Sequence, residues 1–296
     1  MAQRFRPTFA SVRPDYITPT FLEGFIQSSL SEDLGTGDHS SLAAVPRQAN
    51  SRARLLIKDH GILAGVELAT HIYRQYDPGM RVEVLMEDGD KIKVGDVAFT
   101  VEGAARSILA TERLVLNCMQ RMSGIATRAN SLTLLIEGTG AKLLDTRKTT
   151  PNFRLLEKWA VRIGGAHNHR IGLFDMIMLK DNHIDMAGGI ESAIMRTIDY
   201  LRAGNLKLRI EIETRNLTEV REVLKVGGVD VIMLDNMTPA DMREAVKLIG
   251  GRFQTEASGN INETTIRNVA ETGIDFISVG ALTHAVRSLD MSLKVY

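Results

Sequence analysis

The second half of the chain alternates short apolar runs with amphipathic segments, and this alternation restricts the possible folds more than any other feature. The apolar runs of strand length are 141–145, 175–180, 206–213, 229–235, 252–258 and 275–280. Helical patterns separate them at 153–163, 188–202, 217–226, 239–248 and 262–272, with helix starts predicted at Asn216, Thr238-Pro239 and Asn262. Strands that alternate with helices predict a parallel sheet. Six such units are too few for a closed eight-stranded barrel, so we expect an open, incomplete parallel α/β barrel.

The first half of the chain has a different order of helical and β-like patterns. Helical patterns cover 20–31 and 66–76, a turn-rich stretch covers 32–41, and short β-like runs separated by glycines occupy most of 53–103. A long helical pattern follows at 106–136. The predicted fold class is therefore α/β, with an α+β N-terminal sandwich domain followed by the open barrel.

Polar residues or glycine close nearly every apolar run of the second half. The closing residues are Asp145, Lys180, Glu213, Asp235, Glu256-Ser258 and Gly280. In α/β barrels the active site lies at the carboxyl ends of the strands and in the loops that follow them. The pattern therefore predicts an active site built from these residues and their neighbours.

Cations are concentrated at three of these positions. Arg147 and Lys148 follow the first run, His169 and Arg170 follow a Gly-Gly turn, and Lys180 closes the next run. The whole chain is neutral, with 36 Lys+Arg and 36 Asp+Glu, so the cluster predicts a local site for an anion and not a surface for nucleic acid or membrane.

The pair His167 and His169 could suggest a metal site. We disfavour it because no cysteine or carboxylate stands at ligand spacing in the sequence, and we interpret His167 as structural.

Other strand-end residues predict a second ligand. Glu213 and Asp235 could hold Mg²⁺ or sugar hydroxyls, or could pair with Lys180 or Arg147. Two turns, Ser258-Gly259-Asn260 and Gly280-Ala281-Leu282-Thr283, each precede a predicted helix and suit a phosphate group. The residues together predict a small polyanion bound beside a phosphorylated compound.

Cellular location is predicted from cysteine content and the absence of apolar segments. The single cysteine, Cys118, excludes an intrachain disulfide and fits a reducing compartment, and its apolar helical surroundings predict a buried thiol. We see neither a signal peptide behind Arg4 and Arg6 nor an apolar run long enough to cross a bilayer. A cytoplasmic protein is expected.

Eight motifs occur in order along the chain. They are TERLVLNCMQRMSGIAT (111–127), DTRKTTP (145–151), GGAHNHR (164–170), MIMLKDNH (176–183), IEIE (210–213), VIMLDN (231–236), EASGNI (256–261) and ISVGALTH (277–284). In these motifs the chain resembles the nicotinate-nucleotide pyrophosphorylase (carboxylating) family, that is, quinolinate phosphoribosyltransferase, a type II phosphoribosyltransferase. The resemblance implies an N-terminal α+β domain over 1–112, joined by the C-terminal segment 285–296, and a barrel over 113–284.

The resemblance also implies a role for each site residue. The two carboxylates of quinolinate are expected to meet Arg147, Lys148, His169, Arg170 and Lys180. Glu213 and Asp235 are expected to serve the ribose hydroxyls and Mg²⁺ of phosphoribosyl pyrophosphate, directly or through water or substrate. Ser258, Gly259, Asn260, Gly280 and Ala281 are expected to hold phosphate. Arg113 is expected to reach the site of a neighbouring subunit, so that a homodimer is the smallest active unit. The catalytic residues are expected to be Lys148, Lys180, Glu213 and Asp235.

Two positions depart from the family pattern. Asn152 and Asn260 stand where the family often has glycine. Asparagine tolerates left-handed backbone better than most residues, so we expect little effect.

Other functions fit parts of the pattern. A related enzyme could use nicotinate, although one carboxylate needs fewer cations, and a paralogue associated with molybdenum transport shares the fold. Lys148 or Lys180 could form a Schiff base with a carbonyl substrate, as in an aldolase. Borohydride would then trap a covalent adduct between the lysine and the substrate. A non-catalytic binding protein is a further alternative, which the charged strand ends disfavour.

Overall fold

A computed structural model describes residues 13–296, which form two compact units. The first unit contains residues 13–130 together with Thr150–Gly165 and Ala285–Tyr296. The second contains Ser131–Thr149 and Ala166–His284.

The first unit is built on a four-stranded antiparallel sheet with helices. Its strands are β1 (Asn50–Ile57), β2 (Gly61–Ile62), β3 (Arg81–Val84), β4 (Lys91–Ile92), β5 (Val97–Ala104) and β12 (Met291–Val295). Its helices are α1 (Pro19–Leu34), α2 (His39–Ala44), α3 (Val66–Tyr76), α5 (Arg154–Ile163) and most of α4 (Ala105–Leu135). The sheet order is β12-β1-β5-β3, while β2 and β4 form a separate ribbon. The strand from the C-terminal end therefore pairs with the first strand of the unit.

A carboxylate distant in sequence caps α3. Gly65 precedes this helix and has no side chain to cap it, but the buried Asp88 accepts a hydrogen bond from the Val66 N–H at 2.8 Å. We expect Asp88→Ala to lower the free energy of unfolding by about 1–2 kcal/mol, because a buried helix end loses its acceptor. Denaturant unfolding measures this. Asp38→Ala is the control, since Asp38 caps the short, largely exposed α2, and equal losses in the two variants would contradict the expectation.

The second unit is an open parallel sheet with helices between its strands. Its strands are β6 (Lys142–Leu144), β7 (Ile177–Leu179), β8 (Ile210–Thr214), β9 (Val231–Asp235), β10 (Gln254–Ser258) and β11 (Phe276–Ser278). Its helices are α6 (Asp181–Ala187), α7 (Ile190–Ala203), α8 (Leu217–Val226), α9 (Pro239–Ile249), α10 (Ile266–Ala270) and the 3₁₀ helix Gly280–Leu282. The order is β6-β11-β10-β9-β8-β7 and every pair is parallel. In the described part of the chain β6 and β7 end the sheet without pairing to each other, which confirms the predicted open architecture.

Burial on both faces explains the apolar character of these strands. All five residues of β8 are buried, and successive side chains of a strand point to opposite faces. Glu211 and Glu213 therefore share one face of β8, while Ile210 and Ile212 share the other. Five of the six apolar runs in the sequence contain a whole strand, and β8 extends one residue beyond the run 206–213.

Two local expectations were wrong, and one helix was missed. The stretch 32–41 is not all turn, because α1 runs to Leu34 and α2 starts at His39 after the N-cap Asp38. The helix α6 follows β7 directly and was not predicted. Asn262 does not cap α10, which begins at Ile266; its side chain instead accepts hydrogen bonds from Thr264.

None of the helices between residues 13 and 296 has the length and apolar character that a bilayer span requires. Cys118 is buried, as predicted, and burial raises the pKa of its thiol to about 12.

Candidate active site

A cavity of about 750 Å³ lies in the second unit at the carboxyl ends of the parallel strands. It is larger than the cavities near Leu201, of about 410 Å³, and near Arg209, of about 370 Å³. Among the residues that line it are Arg147, Lys148, His169, Arg170, Lys180, Glu213, Asp235, Ser258, Gly259, Asn260, Gly280 and Ala281. Twelve of the thirteen candidate site residues therefore lie around one cavity. The thirteenth, Arg113, lies on α4 in the first unit with its side chain exposed.

Two arginines form a cationic wall of the cavity. Burial and the charge of Arg147 both lower the pKa of the Arg170 guanidinium, so the two positive groups lie close together. The Nε of Arg147 is buried and has no hydrogen-bond partner within the described residues. A buried donor without an acceptor is costly, and two adjacent guanidinium groups repel each other. A bound anion would relieve both costs.

Two carboxylates form the acidic wall. Burial and the charge of Asp235 raise the pKa of Glu213, while the charge of Lys180 and the backbone N–H of Asp181 lower it. Like charges held together in this way fit a hard divalent cation, which prefers carboxylate oxygens. Asp235 also accepts a hydrogen bond from the Asn236 amide at 2.7 Å.

The turns after β9 and β10 depend on left-handed backbone. Asn236 and Asn260 have φ of 53° and 52°, and Gly259 has φ of 95°. The Asn260 amide donates to the Asn236 Oδ1 at 2.9 Å. Asn152 is also left-handed, with φ of 61°, so both asparagines that replace family glycines occupy the backbone region that glycine favours. Asn236, which links Asp235 to this turn, was not predicted, although it directly follows a predicted carboxylate.

Gly259 is the position in this turn that least tolerates a side chain. A Cβ there would clash with the Asn236 side-chain amide. We expect Gly259→Ala to displace Asn236 and to lower the melting temperature by several degrees, since strain and a clash act together. Gly251→Ala is the matched control, because Gly251 is also left-handed, with φ of 74°, but has open space around its Cβ position. Equal shifts in the two variants would show that the clash contributes nothing.

The turn after β11 packs against Lys148. A Cβ at Gly280 would lie 3.0 Å from the Lys148 Cδ and 3.1 Å from the His284 Cδ2. The Thr283 hydroxyl donates to the Lys148 carbonyl at 2.8 Å. A side chain at this position would therefore have to displace the Lys148 or His284 side chain slightly. His284 also lines the cavity and was not predicted.

His169 lies beside two buried glutamates. Its Nε2 is 2.8 Å from the Glu211 Oε2 and 3.4 Å from the Glu256 Oε2. These carboxylates come from β8 and β10, distant in sequence, so spacing around the histidine pair could not reveal them. His167 itself makes backbone hydrogen bonds to Leu143 and Asp145 at the end of β6.

The ring of His169 is bonded on both sides. The Arg170 N–H donates to its Nδ1 at 2.8 Å. Burial lowers the pKa of His169, but Glu211 and Glu256 outweigh burial and raise it to about 10. A protonated Nδ1 cannot accept the Arg170 N–H. The backbone geometry therefore favours a neutral ring with its proton on Nε2. The charge of Glu211 raises the pKa of His169 only when Glu211 is ionised. Burial raises the pKa of Glu211 itself to about 7, so this charge is partly lost at neutral pH.

Comparison with known proteins gives the same family over both units. The model of the quinolinate phosphoribosyl transferase N-terminal domain matches residues 38–123, and that of the C-terminal domain matches residues 125–294. The chain belongs to the quinolinate phosphoribosyltransferase family.

Individual members of this family resemble the chain over nearly its whole length. It is 46% identical over 293 residues to quinolinate phosphoribosyltransferase [decarboxylating] 1b of Nicotiana tabacum, covering 94% of this chain and 83% of the relative. It is 40% identical over 264 residues to the probable nicotinate-nucleotide pyrophosphorylase [carboxylating] of Bacillus subtilis, covering 89% of this chain and 90% of the relative. The crystal structure of NadC from Streptococcus pyogenes superposes with a TM-score of 0.89 at 37% identity, covering 95% of this chain and 98% of that one.

Proposed function

We propose that this chain is a decarboxylating quinolinate phosphoribosyltransferase of NAD biosynthesis. It joins quinolinate to the ribose of phosphoribosyl pyrophosphate and releases pyrophosphate, CO₂ and nicotinate mononucleotide. The names of its relatives support the reaction. The observation that carries the proposal is the cationic wall, where Arg147 and Arg170 face one cavity and the Arg147 Nε has no partner in the described residues.

The cationic wall suits the dianion quinolinate. Arginine binds carboxylates through a planar fork, so Arg147 and Arg170 each receive one carboxylate of the substrate, with Lys148 and Lys180 adding charge. Holding the pyridine nitrogen close to the ribose carbon lowers the entropic cost of joining two anions.

The acidic wall suits the reacting sugar. The pyridine nitrogen forms a bond to the ribose C1 as the C1–oxygen bond to pyrophosphate breaks, and positive charge develops on the sugar. Glu213 and Asp235 stabilise this charge and bind the ribose hydroxyls. The turns that contain Ser258, Gly259, Asn260, Gly280 and Ala281 hold phosphate. When the adjacent carboxylate leaves as CO₂, its electron pair stays on the ring carbon, where the positive charge of the neighbouring pyridinium nitrogen stabilises it. A proton from water then replaces the lost carboxylate.

A magnesium ion fits the acidic wall. Glu213 and Asp235 would hold it, directly or through water or substrate, because both carboxylates line the same cavity and the charge of Asp235, after burial, raises the pKa of Glu213. When bound, the ion neutralises the charge of the pyrophosphate leaving group.

The decisive experiment is a turnover assay of the purified chain. Quinolinate, phosphoribosyl pyrophosphate and Mg²⁺ are expected to yield CO₂ and nicotinate mononucleotide in equal amounts, measured by CO₂ release and chromatography. Turnover of nicotinate without turnover of quinolinate would refute the proposed substrate.

We further propose a homodimer in which Arg113 completes the site of the neighbouring subunit. Its exposed position on α4 supports this. If Arg113→Ala and Arg147→Ala subunits are mixed, about one quarter of the sites in a randomly exchanged population regain both arginines, as for any residue contributed across a C₂ interface. We therefore expect activity to reappear on mixing. No recovery after verified subunit exchange would show that Arg113 does not act across the interface.

We also propose that the protein works in the cytoplasm. A single cysteine in the sequence supports a reducing compartment, although plant relatives carry chloroplastic or mitochondrial names. Fractionation of the source cells, with detection by antibody, tests this location.

A further inference from the structure

The His169–Glu211–Glu256 cluster lies directly beneath the cationic wall. His169 and Glu256 line the cavity, while Glu211 is 1% exposed. Glu211 lies two residues before Glu213 on the same face of β8, and Glu256 lies two residues before Ser258 on β10. The two glutamates therefore form a layer one step deeper in the barrel than the residues assigned to the substrates.

Burying two carboxylates lowers the stability of the fold unless favourable contacts offset the loss of hydration. Glu211 and Glu256 each keep one buried oxygen, Oε1, without a hydrogen-bond partner in the described part of the chain. Hydrophobic residues of similar size would fill a barrel interior without that cost. The common partner of the two side chains is the His169 Nε2.

The direct contact is a hydrogen bond. A separation of 2.8 Å between Nε2 and the Glu211 Oε2 is an ordinary hydrogen-bond length. Two ligands of one metal ion, each at about 2.0–2.1 Å in tetrahedral geometry, would stand roughly 3.3 Å apart. The geometry thus favours a proton between these atoms over a shared ion.

The rest of His169 is fixed from the other side of the barrel. Its backbone N–H donates to the Asp145 Oδ1 at 2.8 Å, and the Asn168 amide donates to the Asp145 Oδ2 at 2.6 Å. Asp145 directly follows β6 and is fully buried. The imidazole therefore connects one end of the open sheet with β8 and β10, and its Nδ1 accepts the N–H of Arg170.

We propose that Glu211 and Glu256 are positioning residues that, by holding the Nε2–H of His169, orient the Arg170 backbone and aim its guanidinium at the substrate carboxylate. This inference rests on the proposed function, because the predicted change in the KM for quinolinate requires that quinolinate is the substrate. On this proposal His169 supports Arg170 and does not bind the substrate through its ring, because both ring nitrogens form hydrogen bonds within the protein.

Substrate-specific kinetics test the consequence. The double variant Glu211→Ala/Glu256→Ala is expected to raise the KM for quinolinate at least about 10-fold, the loss typical of a hydrogen bond to a charged group. The KM for phosphoribosyl pyrophosphate is expected to change by less than about 3-fold. Glu211→Gln, which keeps an acceptor for Nε2–H, is expected to retain most of the quinolinate affinity. Equal increases in both KM values, or no increase in either, would overturn the proposal.

The matched control is Asp275→Ala. Asp275 accepts hydrogen bonds from the Thr255 N–H and hydroxyl at 2.8 and 2.7 Å, at the opposite end of β10 from the cavity. This variant also removes a carboxylate that links two strands, and we expect it to lower the melting temperature without changing the ratio of the two KM values.

A spectroscopic measurement separates this proposal from the proposed function. Nitrogen-15 NMR of the histidine rings, with His169 assigned through His169→Gln, is expected to show Nε2 protonated and Nδ1 unprotonated. The double alanine variant is expected to shift this signal. A doubly protonated ring, or a signal unchanged in the variant, would refute the positioning role. Failure of the unsubstituted protein to turn over quinolinate would refute the enzyme activity and leave the ring measurement to decide the positioning.

Discussion

Arg147→Ala is expected to lower kcat/KM for quinolinate by roughly 100-fold or more. Removing one partner of a buried charged contact typically costs about 2–5 kcal/mol, and each 1.4 kcal/mol is about tenfold. The Arg147 Nε is already desolvated and has no partner in residues 13–296, so the bound carboxylate gains most from this side chain. Steady-state kinetics with each substrate varied in turn measure the effect, and we expect the KM for phosphoribosyl pyrophosphate to stay within about 3-fold.

Two further variants make this measurement specific. Arg147→Lys keeps the charge but loses the planar fork, so an intermediate loss is expected. Arg209→Ala is the control, because Arg209 directly precedes β8 at the opposite end of the strand from the cavity and hydrogen-bonds Gln254. Equal weakening of both substrates in Arg147→Ala would contradict a role limited to quinolinate.

Asp235→Ala is expected to lower kcat by about 10²–10³-fold, the loss typical when one preorganised electrostatic group is removed from a reacting centre. The response to Mg²⁺ concentration is expected to shift to higher concentration, because Glu213 alone remains to hold the ion. Burial would still raise the pKa of Glu213 in this variant, but the contribution from the charge of Asp235 would be lost. A titration of activity with Mg²⁺ at saturating substrates measures both effects.

Asp230→Ala provides the comparison for Asp235→Ala. Asp230 immediately precedes β9, at the opposite end from Asp235, and accepts the Ile210 N–H at 2.7 Å. Its loss is expected to reduce stability and to leave the Mg²⁺ dependence unchanged. If both variants show the same Mg²⁺ dependence as the unsubstituted protein, Asp235 does not contribute to the metal site.

The open parallel sheet could be predicted because apolar runs of strand length alternate regularly with segments of helical periodicity along the second half of the chain. A strand that is buried on both faces, such as β9, is apolar from its first residue to its last but one, and each run ends where the sheet meets the cavity. Parallel strands bring their carboxyl ends to one edge. Residues far apart in sequence, from Arg147 to Ala281, therefore converge by a rule that requires no knowledge of side-chain contacts.

The parts that could not be predicted depend on contacts between strands. In the sequence Glu211 is an ordinary polar residue of a strand in which apolar and polar residues alternate. Only the order of the strands in the sheet brings it close to Glu256 and His169. Asn236 reads as an ordinary turn residue until its left-handed backbone and its bond to Asn260 are seen. The start of α6 is likewise obscured, because His183 binds the Lys180 N–H in place of a usual capping residue.

The pairing of β12 with β1 has a consequence for biosynthesis. β1 lies near residue 50 and its partner lies beyond residue 290, so the ribosome makes the entire parallel sheet before the antiparallel sheet can be completed. During that interval one edge of β1 offers unpaired backbone groups to other chains. Nascent chains that stall before residue 291 are therefore expected to aggregate or to recruit chaperones, whereas chains that reach residue 295 can close the sheet.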